Sequence, residues 1–178
     1  MDFKNALIPN ENVKLFCNKI DINAGYAMSY SNVGQSLTET DTNFLLKFET
    51  DRFIRSFAIL DDGRKFYPFY AGKYQCNTNS TIQFVLPTGT LLANTAVDIK
   101  LVHYNRNNII VEESNPSYYT FLNGLTYFTS RYTLNCNIIF DMAEGDYIAV
   151  LASVAQSGSL NFTITISNTS LEINYINS

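Results

Sequence analysis

The chain has 178 residues, 46% of them hydrophobic and only 16% charged, with a formal net charge of −4. A domain of this size buries roughly 70% of the surface its unfolded chain exposes, and length and composition together exclude a disordered polymer. The acidic balance counts against nucleic acid or an anionic membrane as a partner, because either calls for Lys and Arg clustered on one face.

Residues 1–42 come first and differ from the rest. They are rich in Asn and Ser, with small apolar clusters such as Ala6-Leu7-Ile8 and Val13-Lys14-Leu15-Phe16. They read as an arm or attachment segment that could reach on the order of 140 Å when extended, or equally as extra edge strands on the domain that follows. The arm is not basic, so it does not resemble the coat-protein arms that neutralise phosphates. The first twenty residues lack the apolar stretch of a signal peptide, and the most apolar run, Tyr147 to Ala155, is far short of the roughly 20 residues that span a bilayer. No membrane segment is expected.

From Asn43 to the end, residues 43–178 read as one domain. Gly, Asn and Asp punctuate runs rich in Val, Ile, Thr, Tyr and Phe: FLLKFET, FIRSFAIL, the Asp61-Asp62-Gly63 turn, KYQCN, TIQFVLP, AVDIKLVHYN, NIIVEES, YYTFL, Tyr127 through Phe140, GDYIAVLASV, SLNFTITI and SLEINYI. This spacing predicts about ten strands and no useful amphipathic helix, an all-β fold that closes as a two-sheet antiparallel sandwich or jelly roll. The cleanest alternation is Leu160, Phe162, Ile164 and Ile166 against Asn161, Thr163 and Thr165. In Tyr147 to Val154 both faces are apolar, which requires a cover for the outer one. Another copy of the chain is the preferred cover, with the N-terminal segment as the alternative.

Three cysteines, Cys17, Cys76 and Cys136, lie far apart without a C-x-x-C pair, and the chain has one histidine, which excludes a zinc site of the usual kind. Cys76 and Cys136 fall in strand-like runs and read as buried small hydrophobes. His103 lies on the apolar side of its run with Val97, Ile99 and Leu101, the place of a hydrogen-bonded structural histidine near a strand end. No Gly-x-Ser-x-Gly, P-loop or Gly-x-Gly-x-x-Gly motif accompanies it, so no enzyme is predicted. The carboxylates at Asp61-Asp62, Glu112-Glu113 and Asp141/Glu144/Asp146 read as solvated turn residues; calcium is the one ion such turns could hold, and no cofactor is expected. Tyr118 and Tyr119, with Phe121, Tyr127 and Phe128, form an aromatic group that could stack on sugar or on a partner protein if exposed.

In order along the chain, the segments Phe69-Tyr70-Ala71-Gly72-Lys73-Tyr74, Ile138 through Ile148 with its Gly145-Asp146 turn, and Ser170 through Ile176 resemble the tumour-necrosis-factor-like jelly roll. That superfamily includes the globular heads of complement subcomponent q and many virus and phage surface proteins. The resemblance covers about residues 45 to 178 and implies a ten-strand jelly roll that forms a three-fold homotrimer through its inner sheet. On the family pattern the residues facing the axis would be Gln75, Asn77, Tyr147, Ala149, Leu151, Asn174 and Ile176. Where family members end with Phe-x-Gly and aliphatics this chain has Leu171-Glu172-Ile173, which puts Glu172 near that axis.

The expected role is therefore a non-enzymatic structural protein of a virus or phage particle. It would be a trimeric decoration protein, head fibre or spike, assembled in the host cytoplasm and held to a capsid or tail protein through residues 1–42. The alternative is a soluble lectin-like or receptor-binding head that presents Tyr118 and Tyr119 to a host glycan or receptor.

Overall fold

Side-chain alternation, interrupted at a few positive-φ residues, lays this chain out as two antiparallel sheets. The computed structural model describes residues 25–38, 41–85, 95–121, 129–156 and 163–176. The strands are β1 (Tyr26–Ser31), β2 (Gln35–Leu37), β3 (Phe44–Leu45), β4 (Thr50–Arg55), β5 (Phe57–Leu60), β6 (Lys65–Pro68), β7 (Gly72–Val85), β8 (Thr95–Tyr104), β9 (Ile110–Glu113), β10 (Ser117–Phe121), β11 (Thr129–Met142), β12 (Tyr147–Gln156) and β13 (Thr163–Ile176). The first sheet has the order β11-β7-β13-β1-β4, with β2 also on β13. The second has the order β10-β8-β12-β6-β5, with β3 on β12 and β9 on β8. There is no helix among the described residues.

Two local features separate this layout from the strands expected from sequence. The run Phe53 to Leu60 reads as one strand, yet Ser56 sits at φ 61° and breaks it. β4 therefore pairs with β1 in the first sheet while β5 pairs with β6 in the second. Conversely, Thr78, Asn79 and Ser80 read as a break but lie in the middle of β7. Opposite them β13 bulges between Ser167 and Ser170, with Asn168 at φ 48°, and the Thr78 hydroxyl donates to the Ser170 carbonyl at 2.8 Å.

The boundary after residue 42 is corrected. Tyr26–Ser31 is an inner strand of the first sheet, paired with β13 on one side and β4 on the other, so the sandwich includes part of the segment read as an arm. Residues 1–24, and Cys17 with them, lie outside the described residues.

Between the sheets Phe66, Tyr74, Phe140, Leu37, Leu46, Ile82, Ile99 and Leu101 are fully buried, each such side chain contributing roughly 1.5–3 kcal/mol. Cys76 and Cys136 are buried free thiols. The Cys136 thiol donates to the Ile99 carbonyl at 2.9 Å, joining β11 of one sheet to β8 of the other. Around Tyr74 the rings of Phe57 and Tyr175 pack edge-on at 5.6 and 5.3 Å, and its hydroxyl donates to the Tyr70 carbonyl at 2.8 Å. Gly72 makes room for this cluster: its φ is 144°, and a Cβ there would lie 2.6 Å from the Tyr175 ring.

Gly72→Ala should therefore destabilise the fold by about 1–3 kcal/mol, read as a lower Tm with unchanged far-UV circular dichroism. Burial pushes the Tyr74 and Tyr147 hydroxyls up to about 12 from 10.0. The folded chain then holds these protons more tightly than the unfolded one, so stability is complete below about pH 10 and is lost as pH rises toward 12. A Tm series into alkali should stay level up to about pH 10 and then fall, and part of the tyrosinate absorbance should appear only with unfolding.

Candidate functional site

Register places one set of side chains on the outward face of the first sheet. Ile139, Gln75, Asn174, Tyr26 and Arg55 form a row across its five principal strands. Asn137, Asn77, Glu172, Met28 and Phe53 form the next, and Asn135, Asn79, Ser170, Tyr30 and Thr50 a third. Every residue in these rows is exposed or half-buried, whereas the alternate positions Tyr74, Cys76, Ile173 and Ala27 are buried in the core. The β7 and β11 half of the face is mostly side-chain amides, with Ile139 exposed at 53%. The β1 and β4 half carries larger side chains, with Phe53 exposed at 54% and Tyr26 at 38% beside Met28, Tyr30, Arg55 and Thr50.

Of the residues nominated from sequence, Gln75, Asn77, Asn174 and Ile176 come together on this face. Ile176 stands beside Lys73 in a further row that Asp141 completes. Glu172 lies there too and accepts a hydrogen bond from the Asn174 amide at 3.1 Å. The grouping of Tyr147, Ala149 and Leu151 with them is corrected, because all three are on β12 in the other sheet and are buried within the single chain. The Tyr147 ring stacks on Tyr104 at 4.8 Å and lies against Tyr67 at 5.0 Å, its hydroxyl donates to Asn108 Oδ1 at 3.0 Å, and Lys65 Nζ sits 5.3 Å from its centroid. Ala149 is flanked by Val102, and Leu151 by Leu45 and Lys100. The outer face of β12, which called for a cover, is closed by the chain itself.

Tyr118 and Tyr119 point opposite ways on β10. Tyr118 is 68% exposed and stands opposite Asp98, while Tyr119 turns inward and stacks on Tyr132 at 3.6 Å. Phe121 ends β10, and Tyr127 and Phe128 of the same group lie outside the described residues.

His103 is buried on the core side of β8, its ring 5.6 Å from that of Phe140. Its Nε2 hydrogen-bonds to Asp146 Oδ2 at 2.7 Å, and the same oxygen accepts from the Ala143 N–H at 3.0 Å. The Asp146 side chain thus ties the Gly145 turn to β8. Among the described residues no Ser, Thr or Cys hydrogen-bonds to His103, and no three His, Cys, Asp or Glu side chains converge on a metal position. The Asp61-Asp62 turn is held by ion pairs to Lys65 at 3.3 Å and Lys47 at 2.8 Å, and Glu113 pairs with Lys100 at 2.7 Å. A hydrogen bond from the Lys47 ammonium holds the Asp62 carboxyl below the ordinary carboxylate range.

No protein-family model and no curated protein matches the sequence. Solved structures do match the fold. Over 87% of this chain and 92% of the other, it is similar to the Eiger TNF of S. frugiperda, with a TM-score of 0.56 and 7% identity. Over 86% of this chain and 96% of the other, it is similar to the globular domain of zebrafish complement 1qA protein, with a TM-score of 0.50 and 8% identity. The chain therefore has the jelly-roll fold shared by tumour necrosis factors and complement-q heads.

Two substitutions separate the two outer faces. Tyr147→Ala should cost about 3–5 kcal/mol in chemical denaturation. Gln75→Ala, exposed on the first sheet, should stay within about 0.5 kcal/mol when measured at concentrations where the chain is a monomer.

Proposed function

We propose that this protein is a non-enzymatic jelly-roll head that closes into a homotrimer through the outward face of its first sheet. The observation that carries this reading is the division of that face into an amide half on β7 and β11 and a half on β1 and β4 that bears the exposed rings of Phe53 and Tyr26. In the proposed trimer the amide half of one copy meets the aromatic half of the next, a heterologous contact that closes as a ring; a two-fold pair would bring the same halves together, and the assembled mass distinguishes the two. Exposed aromatics with few charges at the centre match the composition of an interface core. The single histidine, which among the described residues hydrogen-bonds to Asp146 and to no Ser, Thr or Cys, supports a non-catalytic role.

The ring's setting, in the same proposal, is a virus or phage particle, where it serves as a decoration protein, head fibre or spike. Its attachment to a capsid or tail protein runs through the N-terminal residues. The free thiols of Cys76 and Cys136 support assembly in a reducing host cytoplasm. A second reading, a soluble lectin-like or receptor-binding head, is favoured by Tyr118, which is 68% exposed.

Asn77→Glu puts a second carboxylate directly opposite Glu172 in the middle row and should convert the assembly to single chains in sedimentation velocity, with unchanged circular dichroism. An assembly that tolerates both Asn77→Glu and Ile139→Arg would place the interface elsewhere. Immunogold labelling of purified particles with an antibody to this chain tests the setting: label on the particle surface supports it, and label confined to unassembled host lysate contradicts it.

A further inference from the structure

When the two halves of the first sheet's outward face meet different neighbours, the line between the halves points to the axis of the ring. That line runs along β13, the middle of the five principal strands. Rotation about an axis along the strands leaves height unchanged, so the edge strand β4 of one copy lies against the opposite edge strand, β11, of the next. β4 runs from Thr50, in the row of Asn135, to Arg55, in the row of Ile139. β11 runs the same way, from Asn135 to Asp141.

The side chains on these two edges match. On β4, Phe53 and Arg55 share the outward face, both exposed; on β11, Ile139 and Asp141 do the same. Phe53 precedes Ile139 by one row and Arg55 precedes Asp141 by one row. A single shift, roughly 7 Å along the strands, therefore brings ring to aliphatic side chain and guanidinium to carboxylate together. Among the described residues no ion pair holds Arg55, Asp141 or Lys73, which stands opposite Asp141 on β7. Within one chain Arg55 and Asp141 are on opposite edges of a five-strand path, roughly 19 Å apart at the ordinary strand spacing, so they can meet only across copies.

We infer that Arg55 of one copy pairs with Asp141 of the next, beside a contact between Phe53 and Ile139, and that this pair fixes the height at which the copies join. The inference rests on the homotrimer proposed above. An exposed ion pair adds little by itself, but Phe53 and Ile139 shield this one from water on one side, and a guanidinium can hold a carboxylate through two parallel hydrogen bonds. Its main effect is on register, because copies joined at another height would leave both charges without a partner.

Sedimentation equilibrium on the full chain tests it, with Arg55→Asp, Asp141→Arg and the two combined. Each single reversal sets like charges together at every contact and should raise the concentration at half assembly roughly tenfold or more. The combined reversal restores opposite charges and should return that concentration to within about threefold of the unaltered chain. Circular dichroism checks that the variants fold. For any reversal that does not, Arg55→Gln and Asp141→Asn replace the set, and their combination should weaken assembly no more than either alone. Single substitutions that leave assembly unchanged would overturn the pair and leave the trimer standing, as would a combined variant weaker than both singles. Single chains at every concentration of the unaltered protein would overturn the trimer and the pair with it.

Discussion

A fully buried phenol has to place its hydroxyl, and Tyr74 does so by donating to the Tyr70 carbonyl in the turn just before its own strand. That bond holds the start of β7 while Tyr175 of the last strand packs edge-on against the same ring, in the space that Gly72 leaves open. The pair sets Tyr175 opposite Tyr74 and with it the register of β13 on β7. Because side chains alternate with period two, a slip of β13 by one residue would send Glu172 and Asn174 into the core and Ile173 into water. The β13 part of the outward face follows from this one packing arrangement.

The two outer faces of the sandwich meet different fates for a physical reason. On the second sheet Tyr67, Tyr104 and Tyr147 stack side by side, and Lys65 and Lys100 are held by Asp61 and Glu113, so large side chains flank the small ones of β12. On the first sheet the outward positions at the middle of β7 and β11 are mostly Asn, Gln and Thr, too short and too polar to fold over one another, with Ile139 exposed among them, and the rows stay open. The ties between the sheets are polar as well as apolar: the Cys136 thiol reaches the Ile99 carbonyl, and Asp146 binds the β11–β12 turn to His103.

Much of this was legible in the sequence where alternation is strict. Ile164 and Ile166 are buried as their period of two requires, and His103 is the bonded core histidine its place beside Ile99 and Leu101 suggests. The jelly roll was legible through Gly72, Gly145-Asp146 and the final strand, each tied to a backbone need. What escaped were the positive-φ breaks at Ser56, whose side chain has no leaning toward that conformation, and at Asn168, a residue that tolerates it but stands among strand-like neighbours. The dry outer side of β12 was visible, but its cover comes from tyrosines distant in sequence, so Tyr147, Ala149 and Leu151 could not be separated from the open face. Likewise Tyr26–Ser31 alternates too weakly to reveal an inner strand until β13 and β4 are seen on either side of it.

The account turns on whether the open face of the first sheet is buried between copies. The most direct measurement is the absolute mass of the unaltered full chain by light scattering on a size-exclusion column, across a range of protein concentration. The account predicts the mass of three chains, held on dilution into the low micromolar range. A mass of one chain throughout would contradict it and leave the amide and aromatic rows as ordinary solvated surface.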